Sequence, residues 1–406
     1  MKRLIFTGMD WKGHPCHVTA IEENQHLLEL RISSPKKESL LGSIHVGKVQ
    51  KVLPNIQGAF IEIENRLPCF YHLAKNQKPI YVRNHKTSGE LKPGDELLVQ
   101  VTQEALKTKA PCVSSNLSFP GNYLVVTTEN HLIGVSGKIS RERREELKQL
   151  VDAAVDAHRD FGVIVRTNAQ EADNVTILAE LQELIRKMRD TLHRGSYSPC
   201  FTRITAGTNE IDSVLKNLYW DEMEKIVTDQ EDIYRLAVAY RDTLIPKPAC
   251  EIALYQDSLL PLYKLYRLEH GLEQALSEKV WLRSGGFLVI QQTEAFVAID
   301  VNSGKNMSKK LAQKEYKKVN EEAAKEIARQ LRLRNLYGMI LIDFINMKLE
   351  EDRAELLHLM RQLVKNDRIT TTAVDVTALG IMELTRKKEE KSLREQVLEL
   401  TGGENH

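Results

Sequence analysis

The sequence predicts an α/β protein of several domains. At 406 residues the chain is long enough for two or three compact units. Residues 42–106 read as short strands broken by Gly, Pro and Asn, and from residue 281 strands alternate with helices. An apolar content of 42% and a charged content of 28% are those of an ordinary globular chain. The net charge of +1 offers no global attraction for a polyanion, so any basic surface must be local. No apolar run approaches the ~18 residues of a membrane span. The apolar run in MKRLIFTGMDWKG is too short for a signal peptide. The five cysteines are scattered with no CxxC pair, which points to reduced thiols in a cytoplasm and gives no zinc site.

Residues 3–33 read as strands, with HVTAIEE and HLLELRIS flanking ENQ as a hairpin. SSPKKES (33–39) is a polar break. GSIHVGKVQKVLPNIQGAFIEIENRLPCFYHLAK (42–75) and LKPGDELLVQVTQEAL (91–106) suggest a small barrel of OB type, with KPGD as a turn. Ser140 opens a helix, RERREELKQLVDAAVDAHRD, whose buried face carries Leu147, Leu150, Val151, Ala154 and Val155. The strand FGVIVRT (161–167) precedes a helix over about 170–193, with Leu178, Leu181, Ile185, Met188 and Leu192 in step. The region 122–195 is thus expected to be an α+β insertion. Residues 200–280 mix short strands and helices; LLPLYKLYRLEHGLEQALSE is expected to be helical, interrupted at Gly271. WLRSGGFLVIQQTEAFVAIDVNSG reads as a hairpin, followed by a helix over about 308–334. The strand MILIDFI, the helix EDRAELLHLMRQLVKN and the strand ITTTAVDVT then complete a ββαβαβ order.

Two carboxylates carry the chemistry. Asp300 in AFVAIDVNSG and Asp343 in GMILIDFINM each end a short apolar run, where an unpaired charge is costly. The 43 residues between them hold one crossover, so adjacent strands could aim both acids at one point. That is how proteins hold magnesium beside a phosphodiester. Strand-end turn residues are the competing reading. Asn302 shares the face of Asp300 on a strand, or serves the turn in NSG. Residues 303–334 hold seven Lys and three Arg against four Glu, either a solvated helix face or an attraction for a phosphate backbone. His45, His72, His131 and His358 have no spacing of a metal site or catalytic base.

SGGFLVIQQTEAFVAIDVNSG, continued by NEEAAKEIARQLRLRNLYGMILIDFINM, resembles the ribonuclease E/G family, bacterial endoribonucleases of RNA processing and decay. GKVQKVLPNIQGAFIEIE is similar to that family's OB-type RNA-binding domain and GVIVRT to its sensor of a 5′-terminal phosphate. The resemblance runs from residue 1 to about 396 and is weakest over 200–280. It implies an RNase H-like subdomain (1–36 and 203–279), an OB-type RNA-binding domain (37–121), a 5′-sensor (122–202), a DNase I-like catalytic domain (280–399) and a tail (400–406).

By the resemblance, Asp300 and Asp343 would hold one magnesium ion, with manganese as a substitute, and Asn302 would orient water or the scissile phosphate. Phe60, Phe70 and Lys109 match residues that grip a base, and Arg166 and Thr167 match the pair that binds a 5′-monophosphate. The implied activity is magnesium-dependent cleavage of single-stranded AU-rich RNA, leaving a 5′-phosphate and a 3′-hydroxyl and stimulated by a 5′-monophosphate. A non-catalytic RNA-binding protein on the same fold, or a hydrolase of another phosphodiester, is the competing expectation. Two departures stand out. The family's CPxC zinc-link and small C-terminal domain are absent from this sequence, so the expectation is no structural zinc and a monomer or a homodimer joined by a protein surface. Asn346 stands in IDFIN where the family often has a second acid, whereas Asp343 matches the metal ligand.

Overall fold

The computed structural model describes every residue except Met1, 36–38, 77, 83–89, 106–108, 130, 156–158, 208–209, 245–246, 305–311, 366 and 404–406. The chain divides into two units. One comprises Met1–Lys37, Glu222–Leu236 and Cys250–His406, the other Glu38–Asp221 and Ala237–Ala249.

Strands β1 (Lys2–Trp11), β2 (His14–Glu23) and β3 (His26–Ser33) form an antiparallel meander. The expected hairpin turns at Asn24 and Gln25, both in the left-handed region (φ 49° and 66°), where Asn is well tolerated. In the second unit follow β4 (Ile44–Leu53), β5 (Gly58–Glu62), β6 (Pro68–His72), β7 (Ile80–Tyr81), β8 (Glu96–Gln103) and β9 (Cys112–Ser114). The order β4-β5-β6-β9-β8 closes through a β4–β8 pairing into a five-stranded barrel. Closure removes the free strand edges. Ile61, Tyr71, Leu97, Val99 and Val113 fill its interior.

A second sheet in this unit is built from β10 (Ser118–Pro120), β11 (Leu124–Thr127), β12 (Ile133–Val135) and, after helix α1 (Arg141–Ala154), β13 (Gly162–Val165), in the order β10-β11-β13-β12. The helix expected to run to residue 160 ends at Ala154, and 156–158 lie outside the described residues. Helix α2 (Asn174–Tyr197) begins later than its periodicity alone predicts. Asp173 accepts the Thr176 N–H as its N-cap, and Thr167–Gln170 forms a separate 3₁₀ turn. Strand β14 (Arg203–Thr205) adds to the barrel sheet beside β4.

After α3 (Glu210–Lys216), β15 (Lys225–Thr228), α4 (Glu231–Asp242) and β16 (Glu251–Leu254), the first sheet is complete in the order β16-β15-β1-β2-β3. The next segment corrects one expectation. The helical stretch breaks at Arg267 (φ 52°), between α5 (Leu262–Leu265) and α6 (Leu268–Leu276), and not at Gly271. Gly271 lies inside α6, where a Cβ would stand 2.3 Å from Leu27 Cδ1. Its missing side chain lets the helix approach β3 closely.

The remaining elements are β17 (Lys279–Trp281), β18 (Phe287–Gln292), β19 (Phe296–Asn302), α7 (Ala312–Leu333), β20 (Gly338–Asp343), α8 (Glu350–Lys365), β21 (Thr371–Val376), β22 (Ile381–Arg386) and α9 (Leu393–Leu400). The ββαβαβ order holds over β18–β21, with two strands added, β17 antiparallel to β18 and β22 inserted antiparallel between β20 and β21. Helices α7 and α8 cover one face, burying Leu288, Ile299, Ile340 and Ile342 against Val319, Ile327 and Met360. Glu29 on β3 accepts from Arg332 of α7 at 2.9 Å, and Gln396 of α9 accepts the Ile32 N–H at 2.9 Å. These contacts bind the two sheets of the unit together. Among the described residues no helix is long and apolar enough to cross a membrane.

His45 on β4 is fully buried, with Nε2 2.7 Å from Ser43 Oγ. Burial pushes its pKa down to about 4 from an ordinary 6.5, with Glu64 opposing. The folded state therefore refuses a proton that the unfolded chain accepts. The stability this neutral histidine contributes is present above pH 6.5 and is lost as pH falls towards 4. His45→Gln should flatten that part of the profile by a few kcal/mol at most. Urea unfolding of both proteins between pH 7 and 4 checks this; parallel curves would exclude His45 as the source.

Candidate active site

FVAIDVN alternates because one face of β19 is buried. Val297, Ile299 and Val301 point into the core. Phe296, Ala298, Asp300 and Asn302 share the opposite face. β20 lies beside β19 in parallel, and Asp300 stands directly opposite Asp343. Neighbouring strands are about 4.8 Å apart, so the two carboxylates rise side by side from one face. Both are exposed, and among the described residues neither has an ion-pair partner. Two adjacent like charges of hard oxygen character form a donor set that suits a divalent cation. No group of three or more His, Cys, Asp or Glu side chains among the described residues is arranged to hold a metal. The protein's charged contribution to such an ion would therefore be this pair.

Asn302 Nδ2 donates to Asp300 Oδ2 at 2.7 Å, so the amide and the acid do share a face as the strand period predicts. The turn beyond is fixed by backbone packing. Gly304 has φ 75°, and a Cβ there would meet Gly285 O at 2.5 Å; one on Gly286 would meet Asn302 O at 2.6 Å. Two positioning residues on α7 were not evident from the sequence. Glu322 accepts the N–H groups of Arg283 (2.6 Å) and Ser284 (3.2 Å). Asn320, fully buried, donates to Ile345 O at 2.8 Å and accepts the Ile345 N–H at 3.1 Å, anchoring the chain just after Asp343. The available signal was a polar residue on the apolar stripe of Val319, Ala323 and Ala324. Of the basic stretch, 305–311 lie outside the described residues. Lys317 is held by Asp352 at 2.7 Å and Glu355 at 2.5 Å.

The other candidates lie in the second unit. Phe60 and Phe70 face each other across β5 and β6, half-buried, their rings edge to face at 5.7 Å. His72 adds a third ring 4.7 Å from Phe70. Lys109 is exposed on the segment leading into β9, which runs alongside Phe70; the Phe70 N–H donates to Pro111 O at 2.7 Å.

Arg166 and Thr167 have separate partners. Arg166 Nη1 donates to Gly121 O at 2.7 Å and Nη2 donates to Asn217 Oδ1. Thr167 Oγ1 is 2.9 Å from Ser136 Oγ. Burial lowers the Arg166 pKa, with Tyr240 and Glu180 opposing. Glu180 in turn accepts the N–H groups of Asn122, Tyr123 and Leu124, each at 2.8 Å. Residues 121–124 are thus clamped by the carboxylate on their N–H groups and by Arg166 on the Gly121 carbonyl. The cysteines stand apart from this chemistry: burial pushes the Cys16 thiol up to about 11 and that of Cys69 to about 12.

A closed five-stranded barrel in one unit and an exposed acid pair on a mixed sheet in the other define a multidomain α/β protein. A family model described as the ribonuclease E/G family matches residues 118–389. Ribonuclease G of Haemophilus influenzae is 32% identical over 386 residues, covering 92% of this chain and 78% of that protein. Ribonuclease G of Escherichia coli K12 is 31% identical over 379 residues, covering 90% and 76%. Ribonuclease E of a Synechocystis species is 30% identical over 388 residues, covering 93% and 56%. The chain belongs to the ribonuclease E/G family and is an endoribonuclease.

Replacing Asn320 with Ala leaves the part-buried amide and carbonyl of Ile345 without their partner, a loss of about 1–2 kcal/mol. Urea unfolding of Asn320→Ala should show a lower midpoint at unchanged slope. An unchanged midpoint would mean that this anchor carries no stability.

Proposed function

We propose that this protein is a magnesium-dependent endoribonuclease that cuts single-stranded AU-rich RNA, leaving a 5′-phosphate and a 3′-hydroxyl, in RNA processing and decay. The observation that carries the reading is the direct register of Asp300 with Asp343 on adjacent parallel strands. Both acids would hold one magnesium ion, leaving most of its coordination to water and phosphate oxygens. A bound ion of this kind polarises a phosphoryl oxygen and favours hydroxide as the nucleophile. Asn302 fixes the Asp300 carboxylate through one Nδ2 hydrogen, which leaves Oδ1 to accept from a water and the second Nδ2 hydrogen to donate to the scissile phosphate. Phe60, Phe70 and Lys109 would grip a base of the strand by stacking and charge, which tolerates any base. In the finer architecture, the sheet of β1–β3, β15 and β16 is an RNase H-like support. The barrel is the OB-type RNA-binding domain, the β10–β13 sheet with its helices is the 5′-sensor, and the sheet of β17–β22 is the DNase I-like catalytic domain.

A 5′-monophosphate on the RNA would be read by Arg166 and Thr167. Nη1 donates to Gly121 O and, at 3.5 Å, to Lys216 O, and Nη2 donates once, so the guanidinium keeps Nε–H and one Nη2 N–H for phosphate oxygens, each such charge-assisted bond contributing roughly 1.5–3 kcal/mol.

Two experiments test these assignments. With an AU-rich oligonucleotide and magnesium, Asp300→Asn and Asp343→Asn should each cut at least ~100-fold more slowly while binding RNA nearly as well. Near-normal cleavage by both would sink the proposed site. Monophosphorylated RNA should be cut about tenfold faster than its 5′-hydroxyl counterpart. Arg166→Ala should erase that difference and spare the slow cleavage of the hydroxyl substrate. Equal rates on both RNAs with the unaltered protein would remove the sensor assignment and leave the catalytic one standing.

A further inference from the structure

Among the described residues, the helices packed on the sheet of β17–β22 lie on one face. The other face holds the acid pair, and none of its side chains on β17–β20 is buried. Strand register places two rows there. In the first, Trp281 stands opposite Phe287, and Phe287 opposite Asn302. In the second, Lys279 stands opposite Val289, Val289 opposite Asp300, and Asp300 opposite Asp343. Trp281 and Phe287 touch, with centroids 5.4 Å apart, and the Lys279 ammonium lies 4.0 Å from the first ring and 3.8 Å from the second. Trp281 is 66% exposed, whereas Trp11 and Trp220 are 3% and 5% exposed. Exposure alone is ordinary for a single apolar side chain; what sets Trp281 apart is its pairing with a second ring and a cation on the face that carries the acids.

We propose that Trp281, Phe287 and Lys279 form a stacking subsite for a nucleobase flanking the scissile bond. The proposal rests on the acid pair being the cleavage site. Phe287 is one strand spacing from Asn302 and Trp281 is two, or about 10 Å, which places the rings beside the reacting phosphate. Aromatic faces accept any base, and the ammonium meets the adjoining phosphate, which is the pairing a single strand requires. A protein partner is the poorer match, because lysine is depleted from the cores of protein interfaces.

The single exposed tryptophan among three makes the subsite measurable without catalysis. Asp300→Asn protein, free of metal, is titrated with a labelled ten-residue oligoadenylate. Binding is followed by anisotropy and tryptophan exposure by acrylamide quenching. Binding should lower the quenching constant at least twofold. Trp281→Ala in the same background should abolish that change and raise Kd about tenfold, within the effect of losing one stacked base. Trp281→Phe should stay within about threefold of the parent. RNA that binds with quenching unchanged, or with Trp281→Ala binding as tightly as the parent, overturns the subsite and leaves the acid pair untouched. Quenching that falls with protein concentration in the absence of RNA overturns it in favour of a second copy on this face. Failure to bind RNA at all overturns it together with the functional reading.

Discussion

Parallel strands cannot be joined by a hairpin, so β19 and β20 require a crossover, and that crossover is α7. The helix is therefore forced onto the sheet beneath the acids, and its side chains serve several ends at once. Val319, Ala323, Ile327 and Leu331 bury the inner face. Glu322 holds the turn before β18 and Asn320 holds the chain after β20. Arg329 and Arg332 reach β3, the former through Leu27 O at 2.7 Å. The distance between Asp300 and Asp343 is thus set by backbone pairing, and the helix makes that pairing hard to slip. A slip of β20 by one residue would turn Asp343 into the apolar core and away from Asp300.

Charge is arranged in two ways in this unit. Inside, acids have cations: Asp367 pairs with Arg386 at 2.7 Å with both side chains buried, and Glu29 faces Arg332 and Arg368. Removing one partner of such a pair leaves a charge that the interior solvates poorly. On the open face, Asp300 and Asp343 have no such partner among the described residues, only the amide of Asn302 on one of them. The contrast separates acids that hold the fold from acids available to something that binds it.

Much of this was legible in the sequence, because buried strands declare themselves. The runs ending at Asp300 and Asp343, the gap sized for one crossover, and the alternation that puts Asn302 beside Asp300 all follow from periodicity. Strand β22 was missed because IMELTR alternates apolar with Glu, Thr and Arg over six residues, a pattern weak enough to pass for a loop. The helix break was misplaced because glycine is the usual breaker, whereas here Gly271 answers to the side chain of Leu27 on a distant strand. Arg166 was readable only through resemblance. Its partners Gly121 and Asn217 lie 45 and 51 residues away along the chain, and no local pattern reports such distances. The same holds for Asn320 and Ile345, 25 residues apart.

The first sheet has a history that its finished form hides. Strands β1 to β3 are made before the rest of their sheet: β1 waits for β15 as its parallel neighbour, and the core of β1–β3 includes Leu333, Leu393 and Val397. At usual rates of synthesis the ribosome needs tens of seconds to travel that far. Throughout that interval the meander is an orphan, with apolar side chains to bury on both faces (Ile5 on one, Leu4 and Phe6 on the other) and unpaired edges, while the barrel, lying between in the chain, already has all its strands. The strands of this sheet that are made first are completed last, and they stay longest open to pairing with another chain.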